Sequence, residues 1–242
     1  MNVMLELELK RAFADWRFII LTIAMPVLIY ISTSHQYDGT INGTPVASYL
    51  LVSMAVFGGI GAALTACGPR VATEREIGWT RQLRLTSMSS IDYVLVKLMS
   101  AAVITLVAIV AVLGLGGLAN GVRMSAWHWL ASGLAVWVGS WVFCVISLML
   151  GYMFNSSSIT VGLMVVNLGF SMLGGIFWPV DGFPTVLRWL AEATPTYHLA
   201  ALGHHAQDGH LPPASDLVVL AGYLVVSLAA SAWLYRRDEI RV

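Results

Sequence analysis

Residues 46–68 read VASYLLVSMAVFGGIGAALTACG, a run without one charged side chain. As a helix rising 1.5 Å per residue it is long enough to cross the roughly 30 Å hydrocarbon core of a bilayer. Strands cannot substitute, because an open strand leaves backbone N–H and C=O groups unpaired in lipid. Outward from this stretch, five more apolar segments reach similar length, at about 18–34, 94–119, 129–153, 159–177 and 217–235. Only 11% of the 242 residues are charged, against about 25% in an average soluble domain, and the mean hydropathy is +0.78. The expected fold is an all-α polytopic membrane protein with six transmembrane helices in a single domain, residues 1–242.

The formal net charge of zero gives no bulk attraction to nucleic acid. Cys67 and Cys144 both fall in apolar segments, where a thiol serves as a small buried hydrophobe rather than as a disulfide or metal ligand. Of the thirteen Lys and Arg, all but Arg123 and Arg188 fall on one side of the six-span arrangement. The positive-inside rule makes that side cytoplasmic and places both termini there, in a bacterial plasma membrane. No small-residue cleavage site follows the first span, so it reads as retained. Pro26 is expected to kink it.

Before that span, Leu5, Leu9, Ala12, Phe13 and Trp16 recur at helical spacing opposite Lys10, Arg11, Asp15 and Arg17. Residues 1–17 therefore read as an amphipathic interfacial helix on the inner leaflet. Between the second and third spans comes TEREIGWTRQLRLTSMSS, residues 73–90, too polar for hydrocarbon. Read as a helix, it sets Trp79 and Leu83 on one face and Arg81 and Arg84 on the other, with Glu74 and Glu76 near its start. Such a loop is either a passive connector or a surface for a soluble partner.

No Asp, Glu, Lys, Arg or His lies in the middle of any span, whereas an ion-coupled carrier normally buries one there. The same absence argues against an intramembrane hydrolase. The small pairs Gly58/Ala62, Gly59/Ala63 and Ala62/Ala66 mark close helix packing, within one subunit or across a dimer. Asn167 needs an interhelical partner or a polar cavity. The histidines His198, His204, His205 and His210 lack a Cys or fixed acid to complete a zinc site, so no metal, cofactor or catalytic residue is assigned to this chain. No G-x-x-x-x-G-K-[ST] phosphate loop is present, so active transport would need a separate ATPase docking on the inner face. The loop at 69–93 is the candidate surface, and the inner turn Asn155–Ser158 is very short.

Glu74-Arg75-Glu76, Gly78, Leu83, Thr86, Ser89, Tyr93 and Lys97 resemble the E-R-E-x-G-x4-L-x2-T-P-x-S…Y-x3-K stretch of type 2 ABC exporter permeases, the group that includes daunorubicin-resistance permeases. A second block is similar to that family after the fifth span: Gly174-Gly175-Ile176-Phe177-Trp178-Pro179, Phe183-Pro184, Leu187-Arg188 and Thr194-Pro195-Thr196-Tyr197. Ser87 stands where the family usually has Pro. Gly203, His204 and His205 occupy a region where an Arg is common.

The resemblance implies a half-transporter: two permease subunits forming one pore, as a homodimer or with a related permease, over two ABC ATPase subunits that carry the ATP and Mg. It implies a cytoplasmic coupling loop at 69–93 whose ATPase-coupling residues are Glu74, Arg75, Glu76, Gly78, Trp79, Arg81, Leu83 and Arg84. It also implies an outer segment at 178–216 of re-entrant short helices. Ser53, Phe57, Asn167, Phe170 and Ser171 are the candidate pore residues, and Phe177, Trp178 and Pro179 the candidate outer gate. The expected cargo is a hydrophobic small molecule, drug-like or lipidic, moved outward. Export of a polysaccharide or glycolipid, or a role as a permease-like assembly subunit of a membrane complex, are the alternatives.

Overall fold

The computed structural model describes residues 6–10, 14, 20–36, 39–41, 43–78 and 90–240. Its axis is α2 (Val46–Glu76), buried on nearly every side through its apolar stretch, as a helix that is hydrophobic all round must be. A π-helical turn at Ile20–Ala24 leads into α1 (Met25–Ser34), and a two-residue hairpin, β1 (Thr40–Ile41) with β2 (Thr44–Pro45), leads into α2. Then follow α3 (Ser90–Asn120), α4 (Ala126–Gly139), α5 (Trp141–Met153) and α6 (Ile159–Leu173). A 3-10 turn at Val180–Gly182, α7 (Thr185–Glu192), α8 (Pro195–Gln207) and the long α9 (Ala214–Ile240) complete the chain.

Close approach to α2 depends on its small residues. A Cβ on Gly58 would lie 2.8 Å from the Thr22 carbonyl oxygen, and one on Gly68 would lie 2.7 Å from the Ser147 carbonyl oxygen. The ridge expected from the small-residue spacing is thus spent on packing inside one subunit. Pro26 has no N–H to donate to the carbonyl four residues earlier, that of Thr22, and the helix widens to its π-turn over those residues. Pro69 lies inside the continuous α2 and likewise has no N–H for the carbonyl four residues earlier, that of Thr65. There the Ser147 hydroxyl of α5 accepts from the Gly68 N–H at 2.7 Å and donates to the Leu64 carbonyl. A side chain from a neighbouring helix is thereby inserted into the backbone ladder.

Among the described residues, four helical stretches, Val46–Glu76, Asp92–Asn120, Ala126–Met153 and Ala214–Arg237, are long and apolar enough to cross a membrane. The first and fifth expected spans appear as shorter apolar helices, Thr22–Ser34 and Ile159–Leu173. The 15 residues of α6 reach only about 22 Å. This helix stops because Gly175 takes φ +77°, a left-handed conformation that a helix cannot continue through. The chain beyond it is irregular but shielded at first, with Ile176 buried. The Ala126–Met153 stretch is divided at Ser140, between α4 and α5.

The bundle has two chemically different ends. Six of the eight described Lys and Arg residues, Lys10, Arg70, Arg75, Lys97, Arg236 and Arg237, gather at one, through the contacts Glu8–Arg70, Glu8–Lys97, Arg75–Tyr152 and Tyr152–Tyr235. The six histidines gather toward the other, with α8 beneath the start of α2 and the tip of α3–α4. Both described ends of the chain therefore lie at the charged end, as the Lys and Arg sorting implies.

Candidate coupling site

One correction to the sequence reading concerns Glu74, Arg75 and Glu76. They form the last turn of α2 rather than the start of a separate loop helix. Two carboxylates at a helix C-terminus oppose its dipole, so their stability there has to come from specific partners. Each of the three residues takes a different one.

Glu74 reaches α3. Its carboxylate accepts from the Tyr93 hydroxyl and pairs with Lys97 Nζ at 2.6 Å. Lys97 is wholly buried and also pairs with Glu8 at 2.7 Å. Glu8 is 3% exposed and takes a further pair from Arg70, whose guanidinium also donates to the Glu8 main-chain carbonyl at 3.0 Å. Two acids and two bases thus balance in a shielded pocket, the condition under which buried charge is tolerated. Burial alone would raise the Glu8 carboxyl, but Lys97 and Arg70 hold it below its ordinary value.

Arg75 reaches α5, donating to the Gly151 and Tyr152 carbonyls at 2.9 and 2.8 Å and lying 5.6 Å over the Tyr152 ring. It therefore caps carbonyls left without partners at the C-terminus of α5. Glu76 reaches the turn between α5 and α6, accepting from the Ser156 N–H at 2.8 Å and from its hydroxyl. Gly78, at φ +69°, carries the chain out of α2 in a left-handed conformation. Trp79, Arg81, Leu83 and Arg84 lie outside the described residues.

The N-terminal segment joins this cluster through Glu6–Lys10. Leu9 packs against the core as its spacing predicts, Glu6 and Lys10 pair on the exposed face, and the deepest residue is the acid Glu8. Sequence reasoning missed Glu8, Arg70, Tyr152 and Ser156. The one available signal was Lys97, a cation four residues inside an apolar segment, which implied a buried acid somewhere.

The candidate pore residues are also located. Ser53 is buried and bonded to His204 Nε2 at 3.2 Å. Phe57 packs edge-on to Phe177 at 5.2 Å, and Phe177 lies 6.1 Å from Trp178. Asn167 Nδ2 faces Gly61, while Asn167 Oδ1 and Ser171 Oγ are buried without a hydrogen-bond partner among the described residues. Phe170 leans on the core, whereas Trp178 and Pro179 are exposed.

At the histidine end, a cavity of about 200 Å³ is lined by residues that include Tyr49, Asp181, Arg188, Tyr197, His204 and Asp208. His204 stacks on Tyr49 at 3.8 Å with parallel rings. Its Nδ1 faces Gln207 Oε1, an acceptor when assigned from the network, so Nδ1 carries the proton and Nε2 accepts from Ser53. Burial pushes its pKa down to about 4. His198 bridges Asp216 and the Glu192 carbonyl at 2.7 and 2.8 Å, joining α8, α9 and the end of α7. Among the described residues no group of three or more His, Cys, Asp or Glu converges as a metal site.

A family model described as ABC-2 type transporter matches residues 1–202. Among curated proteins, the "Putative transport permease YvfS" of Bacillus subtilis (strain 168) is 23% identical over 233 residues, covering 96% of this chain and 95% of that protein.

Proposed function

This chain belongs to the ABC-2 type transporter family, and from that premise we propose that it is one half of an exporter whose charged end faces the cytoplasm and receives force from an ABC ATPase. Family membership makes it a multi-pass membrane subunit of an ABC transporter, with nucleotide chemistry on the partner. The remainder is our reading: two copies enclosing one pore, two ATPases beneath, six passes through the plasma membrane with both termini inside, and a hydrophobic or lipidic cargo moved outward. Apolar helices without central charges support such a cargo over an ion.

The observation that carries the reading is the last turn of α2. Glu74, Arg75 and Glu76 bind α3, α5 and the α5–α6 turn respectively. A push on the loop that follows Gly78 would reach three other elements at once. Buried ion pairs suit that task because their geometry is all-or-none: a displaced partner leaves an uncompensated charge. ATP-driven closure of the ATPases would bias the pore between inward- and outward-facing states.

The test is the complex co-purified with its ATPase and reconstituted in vesicles. Glu74→Ala combined with Arg75→Ala should retain ATP hydrolysis and lose export. Because Glu74 also stabilises the fold, membrane insertion and melting of the variant are measured alongside. Wild-type export by an inserted double variant would overturn the reading.

A further inference from the structure

The turn between α5 and α6 is short and polar, and nothing in its sequence marks it for a mechanical role. The Asn155 side chain closes it, accepting from the Ser158 N–H at 3.0 Å and from the Ser157 hydroxyl at 2.9 Å. This leaves the Ser156 N–H and hydroxyl both directed at the two carboxylate oxygens of Glu76. The arrangement is bidentate, so it fixes orientation as well as distance. Ser156 and Glu76 are 80 residues apart in sequence. One residue earlier in α2, Arg75 holds the Gly151 and Tyr152 carbonyls near the end of α5. The turn is therefore gripped from both sides by consecutive residues of α2.

We propose that Asn155–Ser158 is a second force-bearing element at the charged end, and that Glu76 and Ser156 are positioning residues that carry it, and α6 with it, along with α2. The inference rests on the ABC transporter reading above and adds to it a route to α6. Glu74 serves α3 and Arg75 serves α5, while Glu76 serves the helix that holds Asn167 and Ser171. The hydrogen-bonded pair makes the movement of α6 simultaneous with that of α2 instead of following it through slack chain.

The test uses the full permease–ATPase complex in nanodiscs, with spin labels in one subunit. Thr73 and Ser157 are exposed at the charged end and Leu211 is 92% exposed at the other. The native thiols of Cys67 and Cys144 are buried and stay unlabelled. In the wild type, the 73–211 and 157–211 distances should shift together when ATP and vanadate trap the ATPase. In Glu76→Ala the 73–211 shift should persist and the 157–211 shift should fall at least several-fold. Ser156→Ala, which keeps the N–H bond, should give an intermediate loss, and Ser156→Thr should restore the wild-type response. Equal shifts at both pairs in Glu76→Ala overturn the proposal, as does a wild type in which only the 73–211 distance responds. If the wild-type chain binds no ATPase, or neither distance responds, the transporter reading falls and takes this one with it.

Discussion

The charged end and the histidine end are both buried, polar and built from residues far apart in sequence, yet they are held by different chemistry. At the charged end, two acids balance two bases in a shared network: Glu8 with Arg70 and Lys97, and Glu74 with Lys97. At the histidine end the central group, His204, is a neutral ring held by stacking on Tyr49 and by bonds to Ser53 and Gln207. Ion pairs in a dry pocket resist displacement and fail abruptly, whereas neutral contacts next to a cavity yield gradually. The first suits transmission of a stroke. Under the export reading proposed above, the second suits an exit that opens and closes.

The largest effect that would separate the two ends comes from Lys97→Met. It strands Glu8 and Glu74 in a buried pocket, and loss of one partner from such a pair costs about 3–5 kcal/mol. Thermal unfolding in detergent should show this as a large drop in melting temperature, while Lys10→Met, which breaks the exposed pair with Glu6, should cost less than about 1 kcal/mol. Equal effects would show that the charged end owes nothing to its ion pairs.

Acid should act next, and at the opposite end. A histidine moved from an ordinary 6.5 to about 4 costs nothing above pH 6.5, where it is neutral both folded and unfolded. As the pH falls from 6.5 toward 4 the unfolded chain takes up the proton first, so stability declines by about 2 kcal/mol at pH 5. The Glu8 carboxyl, held below its ordinary 4.5, contributes stability that is lost only as the pH falls through and below 4.5, under the pH 5 end of this comparison. Melting curves at pH 7 and pH 5 should therefore differ less in His204→Gln than in the wild type, and an unchanged pH difference would remove His204 from the account. The smallest effect is expected from Thr44→Val, which deletes the 2.6 Å bond from the Thr44 hydroxyl to Asp208 at the rim of the cavity. About 1 kcal/mol or less is expected, and a larger loss would mean that the hairpin anchors the histidine end.

Sequence alone indicated the helices well because their signal is local. Six apolar runs became apolar helices, six of the eight described Lys and Arg residues sorted to one end, and residues 178–216 became the short helices α7 and α8 with their approaches. The end of α6 was misjudged because Ile176 and Phe177 continue the apolar run, while Gly175 stops the helix by its backbone conformation. The contacts of the candidate site were the least legible. Glu74 and Glu76 were identified as important, but their partners Lys97 and Ser156 are 23 and 80 positions away. Such distances leave no periodic trace. Glu8 was not singled out in the sequence, and only the folded chain brings it onto Lys97.

The serine that α5 lends to α2 has a further implication. A proline within a membrane helix normally leaves a weak point for its own segment to bear, but here the mend at Gly68 comes from Ser147, 79 positions later in the chain. Heredity at these two sites is therefore shared. A change at position 147 should behave as a lesion of α2, and no replacement at Pro69 can be judged apart from the residue that splints it.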